Sequence, residues 1–351
     1  MKQAVVTKFG DPSVIKIRDI DIPEPKDNEI RIKVDFSGIN FAEIMMRMGL
    51  YPGAGKPPCP IGAEASGTID KIGKNVSSKL EINQKVMTFS FQGTHASYIC
   101  VPSNVVMPIP EFYNMEEAAG FPVIFFTAYM MLFDLGNIKP KDRILIHGGG
   151  GGMGTTLIQF CNSIGATIHT TSSAWKHEKL YNLGVDKCVD YSENNYSQKL
   201  TSMSREIGGY DIIIDPLGGE SWKQSYKLLC SMGKLIIYGD QSFVSGYKRS
   251  IITMIKEYFT IPKFNTLELI SKNKSIMGFH LGRLKNSESK LELAGKSLIK
   301  IINEHKIKPT IDKIFPYDQI PEAHKYIQDR KNLGKVLIDF TTPQSTLENI
   351  R

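Results

Sequence analysis

One stretch limits what this chain can fold into more than any other: residues 143–154, RILIHGGGGGMG. Ile144, Leu145 and Ile146 form a short apolar run of the kind found in a strand buried on both faces. The glycines that follow allow a turn that residues carrying a Cβ cannot make, and residues 155–164 then read as a helix. Gly149, Gly151 and Gly154 satisfy G-x-G-x-x-G, with Gly152 and Met153 completing the loop. Strand, glycine turn and helix together let the backbone approach a pyrophosphate, to which the helix start offers unpaired N–H groups and a positive dipole end. A second strand at 167–171 follows at once, so the run implies dinucleotide binding rather than a flexible linker.

The end of that second strand bears on which dinucleotide. NAD-binding units place an acid about 20 residues past the first glycine, where it takes the ribose hydroxyls. Here that place holds Thr170, Thr171, Ser172 and Ser173, with Lys176 one turn on. No acid is present to repel a 2′-phosphate, two serine hydroxyls can bond it, and the lysine can neutralise it. NADPH is therefore expected over NADH. The competing reading makes Ser173 a helix cap and Lys176 a solvated charge.

A chain of 351 residues, 41% hydrophobic and 23% charged, has room for two cores and the balance of an ordinary globular protein. No apolar run reaches the length of a membrane span and the start MKQAVVTKFGD has no signal-peptide core, so a cytoplasmic protein is expected. Cys59, Cys100, Cys161, Cys188 and Cys230 are scattered, odd in number and without a C-x-x-C pair, which argues against disulfides and against a zinc cluster. The net charge of +7 is spread along the chain rather than gathered in a block, so no nucleic-acid partner is expected. Basic residues Lys248, Arg249, Lys256 and Lys263 do thicken around an apolar pattern at 247–263. That pattern fits a lid or core-facing helix, or one resting on a membrane surface or partner.

Residues 1–123 read as short alternating strands (KQAVVTKF, VIKIRDI, EIRIKVDFSGIN, EASGTIDKIG, QKVMTFS, HASYICVP), the pattern of a compact β domain. A single amphipathic helix is expected from Glu116 through AAGFPVIFFTAYMMLF, leading into a second domain at 124–284. There the glycine unit and further strands at 187–190, 211–215, 234–238 and 275–279 alternate with helical patterns, giving a doubly wound parallel sheet. Tyr238 and Gly239 close one of these strands, at the edge where open sheets of this kind hold ligands. Residues 285–340 are expected to return to the first domain and 341–351 to form a tail.

In SGINFAEI, IGAEASGTIDKIG, FTAYMMLF, HGGGGGMG and KNLGKVLI the chain resembles the medium-chain dehydrogenase/reductase superfamily, over about residues 1–340. Within it the sequence is similar to zinc-independent quinone oxidoreductases of the zeta-crystallin type. Through LFDLGNIKP, KHEKLYNLGV, DPLGG and GFHLG it is similar more closely to the synaptic-vesicle membrane protein group, the vesicle amine transport homologues. The resemblance implies an α/β protein with a GroES-like β domain and a Rossmann domain. Zinc enzymes of the superfamily carry a Cys where this chain has Asn40, a His where it has Ala63, and a four-cysteine lobe absent here. Without those ligands no metal is expected, and alcohol oxidation is disfavoured for want of a Lewis acid.

The resemblance also implies site residues. Asn40 matches a position at the nicotinamide and substrate cleft, Tyr51 a cleft tyrosine able to donate a proton, and Thr127 a threonine beside the nicotinamide. Tyr191 matches a tyrosine at the adenosine 2′-phosphate, while Phe279 and Leu281 approach the nicotinamide through their backbone. Asn40 is also suited to a turn, Tyr51 to shaping a loop and Thr127 to a helix, and His95, His147 and His280 read as structural. Asn83 and Gln84 depart from the Gly-Asp of many relatives. The expected activity is NADPH-dependent hydride transfer to a quinone or conjugated carbonyl. The alternatives are an enoyl-thioester reductase, or an NADPH-binding protein associated with a membrane or partner. A homodimer through the strand at 275–279 is expected.

Overall fold

The computed structural model describes residues 1–51, 53–76, 80–284 and 287–342. The chain divides into two compact units. Unit 1 comprises Met1–Val123, Gly246–Arg249 and the C-terminal part from Lys308, while unit 2 comprises Ile124–Ser245 and Ser250–Ile307.

Unit 1 contains strands β1 (Lys2–Val6), β2 (Ile15–Asp19), β3 (Glu29–Ile39), β4 (Cys59–Pro60), β5 (Glu64–Ile72), β6 (Lys85–Phe89), β7 (Tyr98–Pro102) and β8 (Val106–Pro108). Helices α1 (Phe41–Arg47) and α2 (Met115–Ala119) join them. In β3 the alternation seen in sequence becomes a buried face of Ile30, Ile32 and Val34, which packs with Ala65, Ile69, Val86, Ile99 and Val101. β4 and β8 are too short to leave an alternating signature.

The helix expected from Glu116 is interrupted. Asn114 caps α2 by accepting from the Glu117 N–H at 2.7 Å, and Gly120 ends it by donating back to the Glu116 and Glu117 carbonyls. Pro122 then opens α3 (Pro122–Tyr129), which runs on as a π-helical turn over Met130–Leu135. Nor is this segment amphipathic: Ile124, Phe125, Phe126, Ala128, Met130, Met131 and Leu132 are all buried.

Unit 2 adds β9 (Arg143–His147), α4 (Gly152–Ile164), β10 (Thr167–Ser172), α5 (His177–Asn182), β11 (Lys187–Asp190), α6 (Tyr196–Glu206), β12 (Tyr210–Asp215) and α7 (Gly219–Leu228). It continues through β13 (Leu229–Ile237), α8 (Ile251–Thr260), α9 (Thr266–Lys272), β14 (Ser275–Gly278) and α10 (Glu288–His305). All six strands pair in parallel in the order β11-β10-β9-β12-β13-β14, with Ile144 of β9 opposite both Ile168 and Ile212. The glycine loop thus leaves a central strand.

The chain re-enters unit 1 at Lys308, later than the expected 285, because α10 belongs to unit 2. Gly295 of that helix lies against the Phe126 ring, where a Cβ would come within 3.4 Å. The re-entering segment, β15 (Ile311–Pro316), α11 (Ile320–Gln328) and β16 (Lys335–Asp339), finishes the large sheet of unit 1. Its order is β15-β16-β3-β5-β6-β8, with β16 antiparallel to β3 and β7 also on β3. Residue 285 and the tail from 343 onward lie outside the described residues. All five cysteines are unpaired, and no helix among the described residues is long and apolar enough to cross a membrane. α8 turns an apolar face outward, with Ile252 and Phe259 82% and 80% exposed in this unit.

Candidate functional site

In unit 2 the glycines of the loop have separable roles. A Cβ on Gly149 would stand 2.1 Å from Thr170 Oγ1, and one on Gly154 2.4 Å from the Gly148 carbonyl oxygen, so packing alone requires glycine at both positions. Gly151 differs. It precedes α4 with extended backbone, and a Cβ there would meet only the Gly148 oxygen at 3.6 Å. Its missing side chain leaves open space at a helix N-terminus, the cradle that a pyrophosphate requires. Gly152 and Met153 start the helix. The loop is tied down from β10, since Gly149 N donates to the Thr171 carbonyl at 3.0 Å and Gly148 N to Thr171 Oγ1 at 3.2 Å.

Beneath the loop His147 is buried between hydroxyls, with Nδ1 3.3 Å from Thr171 Oγ1 and Nε2 3.0 Å from Ser225 Oγ. Ser225 and Ser221 both donate to Asp215 Oδ2 at 2.7 Å. Burial lowers the His147 pKa, against the opposing pull of the Asp215 charge. The residue is a support for the loop, the role its apolar surroundings suggested.

Ser172 ends β10, and Ser173 begins the 3₁₀ turn Ala174–Lys176 without capping it through its side chain. The Ser173 hydroxyl lies instead 2.7 Å from Tyr191 OH. Lys176 is only 5% exposed. Its stem lies over the loop, where a Cβ on Gly150 would fall 2.4 Å from Lys176 Cδ, and its ammonium stands 5.0 Å from the centroid of the exposed Trp175 ring. Residues from the ends of β9, β10 and β11 are thus gathered around one glycine loop. Tyr238 and Gly239 follow β13 at the same, C-terminal edge of the sheet, and burial together with the Asp215 charge raises the Tyr238 phenol. Phe279 N donates to the Ile237 carbonyl at 2.9 Å, so of its backbone groups only the carbonyl remains for a ligand. Leu281 opens a 3₁₀ turn, and Thr127 is buried in α3.

In unit 1 Asn40 precedes α1, and its backbone N–H donates to Glu43 Oε1 at 3.1 Å. Both ends of its amide are held: Nδ2 donates to Glu64 Oε1 at 2.9 Å, and Oδ1 accepts from Lys335 Nζ at 2.9 Å. Lys335 Nζ also lies 2.5 Å from Glu64 Oε1 and donates to the Ile39 carbonyl, while Glu64 Oε2 accepts from Val123 N at 2.7 Å. Gly38 permits this, for a Cβ there would come 2.6 Å from Glu64 Oε1. Sequence reasoning passed over this buried Glu64–Lys335 pair. The available signal was one charge of each sign inside an otherwise apolar strand, in GAEASG and GKVLI. Tyr51 lies half-buried in the loop after α1, its carbonyl accepting from Ala54 N at 3.1 Å.

These residues do not fit zinc at the positions of Asn40 and Ala63. Ala63 has no donor atom, and the Asn40 oxygen already faces an ammonium. Elsewhere in unit 1, Glu43, His95 and His324 bring one ligand atom each within 4.8 Å of one another, all fully buried. Burial, with the nearby Arg47 charge, pushes His324 well below its usual range. Their wide separation in sequence hid this group.

Residues 26–111 match the alcohol dehydrogenase GroES-like domain and residues 183–338 the zinc-binding dehydrogenase model. The chain belongs to the medium-chain dehydrogenase/reductase superfamily. Within it the chain is 34% identical over 339 residues to the human synaptic vesicle membrane protein VAT-1 homolog, covering 95% of this chain and 85% of that one. The crystal structure of the human VAT-1 homolog-like protein superposes with a TM-score of 0.83 at 30% identity, covering 98% and 99% of the two chains. The Escherichia coli quinone oxidoreductase crystallised with NADPH shares the fold, with a TM-score of 0.84 at 23% identity over 97% and 100%.

Proposed function

We propose that this oxidoreductase-family chain binds NADPH and reduces a quinone or other conjugated carbonyl without a metal at its active centre. The observation that carries the reading is the end of β10 itself, where Thr170, Thr171, Ser172 and Ser173 include no acid and the nearby Asp190 carboxylate is engaged by the Ser192 and Ala174 backbone. There Ser173 and Tyr191 pair their hydroxyls beside the glycine loop, and the buried Lys176 lies over it. An acid at the end of that strand would repel a 2′-phosphate; hydroxyls and an ammonium attract one. NADPH supplies the hydride when bound.

The chain's own residues bind and orient. Gly149, Gly151 and Gly154 leave room for the backbone to approach a ligand, the first turn of α4 at Gly152, Met153 and Gly154 offers its N–H groups, and Tyr238, Gly239, Phe279 and Leu281 extend the C-terminal edge of the sheet beside it. Thr127 is assigned to the nicotinamide. Asn40, immobilised by Glu64 and Lys335, keeps one amide hydrogen engaged only by a 3.5 Å contact to Glu43 and presents it to the ligand. Tyr51 or solvent delivers the proton. A quinone or enone is already electrophilic, so positioning and oxyanion stabilisation suffice where an alcohol would need a Lewis acid. NADPH oxidation with a panel of quinones, enones and enoyl thioesters tests this. Turnover on quinones or enones is expected. Turnover confined to enoyl thioesters makes the chain an enoyl reductase, and tight NADPH binding without turnover rejects catalysis.

A second reading rests on α8. Its outward apolar face, with Lys256 and Lys263 exposed nearby, suits attachment to an anionic membrane surface or a partner. Co-sedimentation with anionic and with neutral vesicles separates this from purely soluble catalysis.

A further inference from the structure

We infer that Glu43, His95 and His324 form a buried site for a zinc-class divalent cation in unit 1, separate from the positions of Asn40 and Ala63 and structural in role. Three segments converge there: α1 brings Glu43, the segment between β6 and β7 brings His95, and α11 brings His324. His95 is fixed by its backbone, which donates to the Ile61 carbonyl at 3.0 Å and accepts from Ala4 N at 2.9 Å. Gly62 makes room for it, since a Cβ there would stand 2.3 Å from His95 N.

Ser37 Oγ donates to the Glu64 carbonyl at 2.7 Å and also lies 2.7 Å from His95 Nδ1. Thr94 Oγ1 also donates to that carbonyl at 3.0 Å, and the Ser37 hydroxyl holds the His95 ring by Nδ1, as outer groups orient a metal-binding imidazole. Nε2 stands 2.8 Å from Glu43 Oε2, and neither atom has a hydrogen-bond partner. Two groups this close need a proton or a cation between them. A proton on Nε2 would serve Glu43 but leave His324, both of whose buried ring nitrogens are unpartnered, whereas a cation serves all three. A water molecule places its partners about 4.6 Å apart, given O···O and N···O distances near 2.8 Å. A tetrahedral ion with bonds of about 2.1 Å places its ligands about 3.4 Å apart, the closer match to a 2.8 Å contact.

Arg47 is the remaining charge. It follows Glu43 by one turn of α1, its Nε donates to the Gly10 carbonyl and its Nη2 to Gln328 Oε1, but buried Nη1 has no partner. Burial lowers the Arg47 guanidinium pKa, against the opposing pull of the Asp11 carboxylate. A hydroxide as fourth ligand would accept from Nη1, satisfy the last orphaned donor and lower the buried charge by one. Two nitrogens and two oxygens suit zinc, or cobalt in its place, rather than calcium or magnesium.

The test uses untagged full-length protein from zinc-supplemented medium, freed of loose metal by gel filtration. Elemental analysis is expected to give about one zinc per chain, falling to trace in Glu43→Gln and His324→Ala variants. Protein stripped of metal and given Co²⁺ should show the visible bands of tetrahedral cobalt. Should the variants fail to fold, the wild-type metal content and cobalt spectrum still decide. Trace zinc and no cobalt bands in folded wild type, or zinc retained by a folded Glu43→Gln/His324→Ala protein, overturns the site.

Discussion

Replacing Lys176 with alanine should separate the two nicotinamide cofactors. The side chain is 5% exposed and its ammonium is already desolvated against the Trp175 ring, so a contact with a 2′-phosphate would be charge-assisted and only weakly screened. Hydrogen bonds to charged groups contribute roughly 1.5 to 3 kcal/mol, which at about 1.4 kcal/mol per decade gives a ten- to hundredfold loss of NADPH affinity. NADH lacks the phosphate and should lose less than about twofold. The lysine stem also packs over Gly150, where a Cβ would lie 2.4 Å from Cδ, and truncation to alanine removes that cover. Lys176→Met keeps most of the stem and drops the charge, so it should reproduce the alanine result for NADPH. Titration calorimetry with both cofactors on all three proteins is the assay. Equal losses for NADPH and NADH, or a methionine variant that binds NADPH as wild type does, would refute the assignment of a 2′-phosphate contact.

Gly151→Ala should leave thermal stability unchanged, because the added Cβ meets only one atom at 3.6 Å, yet weaken cofactor binding about tenfold or more; intact binding argues against pyrophosphate at this turn. Gly154→Ala should instead lower stability, since its Cβ would strike the Gly148 and Gly149 backbone. Lys335→Met strands the buried Glu64 carboxylate and should cost about 3 to 5 kcal/mol in urea denaturation, with much of the loss recovered by adding Glu64→Gln; a loss under about 1 kcal/mol would mean that the pair is solvated. β14 is an edge strand of its sheet, with half-buried Ile276 and Met277, so the chain should run as a dimer in light scattering and Met277→Pro should dissociate it. A mass near 39.3 kDa for the unaltered protein removes the dimer.

The parts of the fold legible in the sequence were those set by local chemistry. The run Ile144 to Ile146 and the alternation of Ile30, Ile32 and Val34 each announce a strand because burial acts on neighbouring residues of one element. What the sequence concealed arises between elements. Asn40 and Lys335 meet only because β16 pairs with β3, a register that no local pattern encodes. The same holds for Glu43, His95 and His324. Met115 to Leu135 misled for a different reason: its apolar residues are buried all round, so they carry no period, and the break rests on Gly120 and Pro122 alone. The late return at Lys308 was hidden because the apolar stripe of α10 does not say which of two cores it joins.

The late arrival of β16 bears on how the protein is made. β3 leaves a ribosome well before its neighbour β16, so part of its hydrogen-bonding edge stays unpaired while unit 2 is translated. Unit 2, apart from one short excursion, is complete by Ile307 and can close first. Until Lys335 arrives, Glu64 also lacks its countercharge, so the waiting half-sheet cannot settle into a dry core around it. A chain stalled or truncated before β16 therefore exposes an adhesive strand edge beside a finished domain, and it is the nascent chain that chaperones would have to shield.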